Sequence, residues 1–211
     1  MIRHDKIPPV VFGIFLFAAF MLFSYLVHKD LFTQLDFNTT VRLQDHISRA
    51  FDTLFSFLSL LGSVEIVSII LLLLWFVFKK MSYIFVLCIY ALFHLLELFG
   101  KIFVYHPGPS YRFFRYDLGF NFPSSYVQPG SSYPSGHLAR TLFLSVILVF
   151  IIYRLQKLSN MQKYLLYGLT ASVVALMFIS RIYLGEHWLS DVIGGTLLGS
   201  SCGLFALTFL L

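Results

Sequence analysis

From Val10 to Val27 the chain carries no charged residue, and five further apolar stretches follow it, at about Val64–Phe78, Tyr83–Val104, His137–Tyr153, Tyr164–Tyr183 and Trp188–Leu211. A helix crossing the hydrocarbon core of a bilayer needs about 20 apolar residues. Six such spans use roughly 120, which nearly exhausts a complement of 58% hydrophobic residues in a chain of 211. Only 12% of the residues are charged, about half the share of an ordinary soluble domain. A soluble enzyme, a disordered chain and a disulfide-rich secreted domain are therefore excluded. The expected fold is all-α and polytopic, with six transmembrane helices in one domain covering residues 1–211.

The first stretch follows Arg3, His4 and Lys6. It is long for a signal peptide and no small-residue cleavage site follows it, so it reads as a retained span. The segment Leu31–Leu61 differs from the rest. From Val41, the apolar residues Leu43, Ile47, Phe51, Leu54 and Leu58 recur at helical spacing against Arg42, Asp45, His46, Arg49 and Asp52. That pattern predicts an amphipathic helix lying in the membrane interface. Between the third and fourth spans, His106–Ser135 holds five of the seven prolines and many aromatics, including Tyr105 at its edge, Tyr111, Phe113, Phe114, Tyr116, Phe120, Phe122, Tyr126 and Tyr133. These read as an interfacial aromatic belt. Cys88 and Cys202 stand alone within apolar runs and are expected to be buried core residues.

The excess of Lys and Arg reports topology in such a chain and not nucleic-acid binding. With a cytoplasmic N-terminus, the inner side collects Arg3, Lys6, Lys79, Lys80, Arg154, Lys157 and Lys163, with Asp5 its sole acid. The aromatic loop and the segment around His187 then face the extracytoplasmic side.

Ionisable residues at membrane depth are costly and mark functional sites. Here they gather at the ends of spans on that one side. Lys101 closes the third span, Pro134-Ser135-Gly136-His137 opens the fourth with Arg140 one turn in, Ser180-Arg181 ends the fifth, and His187 and Asp191 begin the sixth. Together they suit a phosphate. A helix start with Ser135 and Gly136 offers backbone N–H groups, a hydroxyl and the positive end of a dipole. Lys101, Arg140 and Arg181 can neutralise a dianion, with the guanidinium binding two oxygens at once. His187 and Asp191, four apart on a helix, let the carboxylate hold one imidazole nitrogen while the other attacks phosphorus. His137 is suited to protonate the leaving oxygen. Glu65, His94 and Glu97 read as supporting or structural groups, with Glu97 a candidate partner for Lys101. No Asp, Glu and His grouping suggests a divalent metal.

The stretch Ser180–Asp191, SRIYLGEHWLSD, fits the pattern S-R-x5-H-x3-D, and residues 134–137 read PSGH. In this order, about forty residues apart and each at a span end, they resemble the second and third signatures of the type 2 phosphatidic acid phosphatase family, membrane relatives of vanadium haloperoxidases. The resemblance implies a six-helix core over nearly the whole chain and a cofactor-free mechanism. His187 would form a phosphohistidine, Asp191 would hold it, and His137 would act as acid and then base. Lys101, Ser135, Gly136, Ser180 and Arg181 would cradle the phosphoryl oxygens. The first signature of the family is K-x6-R-P. Here Lys101 and Pro109 match, but Gly108 stands where the arginine belongs. The expected replacement is Arg112, Arg115 or Arg140.

The resemblance further implies a lipid phosphate substrate at the extracytoplasmic face of a bacterial inner or plasma membrane, and membrane lipids as its surroundings. A polyprenyl pyrophosphate such as the undecaprenyl carrier is the expected substrate. Phosphatidate, phosphatidylglycerol phosphate and a lipid A phosphate are alternatives. So are phosphotransfer to a lipid or sugar hydroxyl, and a non-catalytic lipid-binding or transport role.

Overall fold

A computed structural model describes residues 6–120, 122 and 130–211. Arg3, His4, Asp5 and Tyr126 lie outside the described residues. Eight α-helices account for the described fold: α1 (Ile7–His28), α2 (Thr33–His46), α3 (Asp52–Leu60), α4 (Val64–Phe78), α5 (Met81–Phe103), α6 (Gly136–Arg154), α7 (Asn160–Tyr183) and α8 (Leu189–Leu207). Five of them, α1, α5, α6, α7 and α8, are long and apolar enough to cross a membrane. The pair α3–α4, bent by 41° at Gly62-Ser63, makes a sixth crossing if counted as one. Phe15, Leu22, Phe76, Leu95 and Leu165 are among many large apolar side chains left exposed. In water they would be an aggregation liability; in a bilayer they face lipid.

Local chemistry sets the helix ends. The Ser63 hydroxyl accepts from the Ile66 N–H at 3.2 Å and so starts α4, which stops where Lys79 takes a left-handed conformation, φ 49°. Ser159 and Gln162 form a reciprocal capping box at the start of α7. The single amphipathic helix expected from Val41 to Leu58 is instead two pieces. Ile47 and Ser48 are extended, Ser48 caps a short 3-10 turn (Arg49–Phe51), and α3 follows at an angle. The first piece also begins earlier, at Thr33, and its fully buried residues are polar: Asp36 and Thr40.

Helix α8 is the centre of the bundle, packed between α6 and α1 and touching α5 and α7. Its glycines let α6 approach. A Cβ at Gly195 would lie 2.5 Å from the Ser135 carbonyl oxygen, one at Gly199 would collide with the Ala139 backbone, and one at Gly203 would sit 3.0 Å from Val146. Small residues four apart are the standard device for close helix packing where water supplies no hydrophobic drive. Cys202 is buried at this centre, but Cys88 is exposed on the outward side of α5, against expectation, and both are free thiols.

The helix directions bring the C-termini of α5 and α7 to the same end as the N-termini of α6 and α8. Lys79, Lys80, Arg154, Lys157 and Lys163 lie at the opposite end. Lys6, whose ammonium donates to the Thr208 carbonyl at 2.7 Å, lies there too.

Candidate active site

Each signature sits at a helix end: the first at the end of α5, the second at the start of α6, and the third between α7 and α8, where Asp191 caps the start of α8. Tyr133, expected in an aromatic belt, is fully buried instead. Its ring occupies the space left by Gly194, and its hydroxyl lies 2.8 Å from that of Ser24. This anchors the segment entering α6. The Ser135 N–H donates to the Asp191 carbonyl at 2.9 Å, tying the start of α6 to that of α8. Gly136 is required by contact: a Cβ there would collide with Glu97 and lie 2.7 Å from an Arg140 nitrogen.

His187 and Asp191 do meet, but not as neighbours along a helix. Helix α8 begins at Leu189, and the Asp191 carboxylate accepts the Trp188 N–H at 2.8 Å. That cap turns the chain out of the helix before His187. The imidazole Nδ1 then lies 3.5 Å from Asp191 Oδ2, within ion-pair distance but without a hydrogen bond. Burial presses the His187 imidazole below the ordinary histidine range, with Asp191 offsetting part of the shift. It is therefore neutral, as a nucleophile must be.

Beside it, Arg181 is completely buried. One of its nitrogens pairs with Glu186 at 2.5 Å, while Nε and Nη2 have no hydrogen-bond partner among the described residues. The buried Ser135 hydroxyl also lacks one. An unpaired buried donor costs about 1–3 kcal/mol, so these three donors are chemically suited to accept an anion. Lys101 donates to the Pro134 carbonyl at a long 3.5 Å and lies in the field of Asp191. His137, in the first turn of α6, is close enough to feel the charges of Arg181, Arg140 and Lys101.

Three expected phosphate groups are committed elsewhere. Arg140 points away from the anion site: its Nη1 lies 3.0 Å from Glu97 Oε2 and its Nε donates to the Gly62 carbonyl at 2.8 Å. Glu97 also pairs with His94 at 3.3 Å, so Lys101 is not its bonded partner. Ser180 turns its hydroxyl back on the Met177 carbonyl at 2.8 Å. Arg115 stacks on Tyr183 and donates to the Gln44 carbonyl at 3.1 Å, fastening α2 to the end of α7. Arg112 lies exposed in a 3-10 turn, Tyr111–Phe113.

The geometry also adds residues that sequence patterning passed over. His106, read as a loop residue, is buried, with Nδ1 2.8 Å from Asp191 Oδ1 and Nε2 3.7 Å from Asp36 Oδ2. Asp36 in turn accepts from the Ser190 N–H at 2.8 Å and the Ser190 hydroxyl at 2.7 Å. Burial raises the Asp36 carboxyl above the usual carboxylate range despite those bonds. Burial opposes charge on His106, but the bond to Asp191 and the fields of Asp191 and Asp36 outweigh it and hold the imidazole above the ordinary range. Among the described residues, no group of three or more His, Cys, Asp or Glu side chains is arranged to hold a metal ion.

The molecule is thus an integral membrane protein whose helix ends bring together the buried His187, Asp191, Arg181 and Ser135. The family model of the PAP2 superfamily matches residues 79–211, which span α5 to α8 and all three signatures, and the chain belongs to that superfamily. Phosphatidylglycerophosphatase B of Bacillus subtilis (strain 168) is 39% identical over 69 residues, 32% of this chain and 34% of that protein. The match therefore spans about a third of that relative. The fold is similar to the crystal structure of a transmembrane PAP2 type phosphatidylglycerolphosphate phosphatase from Bacillus subtilis, with a TM-score of 0.76 at 18% identity, covering 93% of this chain and 94% of that one. It is also similar to Aquifex aeolicus LpxE, with a TM-score of 0.62 at 22% identity, covering 82% and 94%.

Proposed function

We propose that the protein is a membrane lipid phosphatase that cleaves a lipid phosphomonoester through a phosphohistidine at His187. One observation carries this reading: the buried His187–Asp191 pair stands beside Arg181 Nε and Nη2 and Ser135 Oγ, all three without partners among the described residues. The phosphoryl oxygens take those donors, with the first N–H groups of α6 and the Lys101 ammonium. His187 Nε2 forms a bond to phosphorus as the bond to the lipid oxygen breaks, and His137, protonated beside the bound phosphate dianion, gives its proton to that oxygen. Asp191 accepts from Nδ1 and stabilises the positive charge that develops on the ring. His137, now neutral, then takes a proton from water, whose oxygen attacks phosphorus. The P–N bond breaks, releasing inorganic phosphate and neutral His187. Donors aimed at the developing charge supply most of the acceleration in such a site.

The substrate class follows from charge. Among the described residues, Lys101 and Arg181 are the basic side chains whose fields reach His187, Arg181 is already paired with Glu186, and position 108 contributes none. The positive charge that remains suits a phosphomonoester dianion better than a pyrophosphate. The names of the Bacillus subtilis relatives agree with phosphatidylglycerophosphate as the monoester. Polyprenyl pyrophosphate is the substrate this charge count disfavours. The short basic loops at the opposite end favour an extracytoplasmic site, and the bacterial relatives favour a plasma membrane.

The test is phosphate release by detergent-purified protein in excess chelator, from phosphatidylglycerophosphate, phosphatidate and a polyprenyl pyrophosphate, with His187→Ala alongside. Chelator-resistant turnover of a monoester, lost in the variant, is the expected result. Faster turnover of the pyrophosphate would overturn the substrate assignment. Turnover that survives His187→Ala would overturn the mechanism.

A further inference from the structure

The carboxylate that serves His187 is engaged more tightly by a different histidine. His106 Nδ1 lies 2.8 Å from Asp191 Oδ1, whereas His187 Nδ1 lies 3.5 Å from Oδ2. Because a carboxylate only accepts, His106 Nδ1 carries the proton. The backbone around His106 is pinned by the other two signature segments. The Ser132 N–H and hydroxyl both donate to the His106 carbonyl, at 2.9 and 3.1 Å, and the Trp188 indole donates to the Pro107 carbonyl at 2.8 Å. On its far side, His106 faces Asp36 of α2, which also holds the first turn of α8 through Ser190.

We propose that His106 is a positioning residue for the phosphatase reaction: held between Asp36 and Asp191, it occupies Oδ1 so that Oδ2 is directed to His187. This rests on the reading of His187 as the nucleophile. His106 acts on His187 through Asp191. With Oδ1 filled by His106 and Oδ2 fixed by the Trp188 N–H, Asp191 cannot rotate away when His187 becomes positively charged. The effect is therefore on the step in which phosphorus bonds to His187 and not on substrate binding. It also links α2, which is not long enough to span the membrane, to the catalytic helix end through Asp36.

The test compares His106→Asn, His106→Gln and His106→Ala in the full chain. Asn places an amide N–H near the Nδ1 position and can still donate to Asp191; Gln places it near Nε2 and cannot. With phosphatidylglycerophosphate in mixed micelles, His106→Ala and His106→Gln are expected to lower kcat about 10–100-fold, the loss of one hydrogen bond to a charged group. KM should stay within about twofold and His106→Asn should recover most of the rate. Equal rates for the Asn and Gln variants, or a change confined to KM, would overturn the proposal while leaving the His187 reading intact.

Orthovanadate, a tetrahedral phosphate mimic that becomes five-coordinate when an imidazole binds it, followed by the fluorescence of Trp75 and Trp188, gives a readout independent of the lipid. The same order of variants is expected in its affinity. Equal affinity in all three would overturn the role of His106. Absence of orthovanadate binding by the unaltered protein would overturn this proposal and the active-site reading together.

Discussion

Arg140 and Glu97 form an ion pair 3.0 Å long inside the helix bundle, directly beneath Gly136 at the start of α6. The pair holds the arginine one turn into the second signature on partners from α5 and the α3–α4 bend. Its guanidinium bridges α6 to Glu97 on α5 and to the Gly62 carbonyl at the α3–α4 bend, and so fixes the floor on which the signature residues stand.

Arg140→Met should therefore act on stability before affinity. Removing one partner of a buried pair leaves the other charge uncompensated and costs about 3–5 kcal/mol. Thermal unfolding in detergent should shift down strongly, while the folded fraction keeps its KM. A raised KM at unchanged stability would return Arg140 to the anion site.

Gly108→Arg restores the residue that the first signature lacks. A Cβ at this position meets Ser132 Cβ at 3.4 Å, ordinary contact, and the backbone there is not left-handed. One more guanidinium on the phosphoryl group is expected to lower KM about tenfold, the low end for a hydrogen bond to a charged group. The steady-state KM for phosphatidylglycerophosphate measures this. The same substitution should raise the relative rate on polyprenyl pyrophosphate, whose extra charge it helps to balance.

Gly195→Ala tests the packing of α8 on α6. The new Cβ would lie 2.5 Å from the Ser135 carbonyl oxygen, and backbone cannot swing aside. Overpacking of this kind costs about 1–3 kcal/mol, and here it also displaces Ser135 from the anion. Gly168→Ala is the control. Nothing lies within 4 Å of its Cβ on α7, so it should stabilise by about 0.5–1 kcal/mol through helix propensity. Unfolding temperatures of the two variants should move in opposite directions.

The acid limb of the pH profile should belong to His187. The imidazole attacks only when neutral, and burial holds it below the ordinary range. Activity therefore persists as pH falls past the ordinary histidine value of about 6.5 and is lost only when the pH drops through the lowered value. A profile of kcat/KM with its acid limb above about 6.5 would contradict this assignment.

Much of this arrangement was legible before folding. The spans α5 to α8 and their order could be read because a bilayer demands long apolar helices whose sequence need not mention their neighbours. His187, Asp191, Arg181, Ser135 and His137 could be placed at one end because each stands at a span boundary, and alternating directions bring those boundaries together. The break at Ile47-Ser48 was less visible. A 3.6-residue periodicity continues through it, and the turn there depends on Ser48 and on the Tyr183 hydroxyl donating to the Ser48 carbonyl at 2.9 Å.

Membrane insertion, helix order and the chemistry of the signatures are local properties of this chain, carried by apolar runs and caps a few residues long. Which charges reach the anion is not local. Arg140, Arg115 and Ser180 have the right chemistry and the right neighbourhood, yet each is drawn to a partner from another helix or to its own backbone. His106 and Asp36 had no pattern to mark them, because they meet Asp191 and Ser190 across 85 and 154 residues of chain. Only packing α2, the loop and α8 against one another makes those side chains neighbours, and a buried carboxylate then takes the donors that packing supplies.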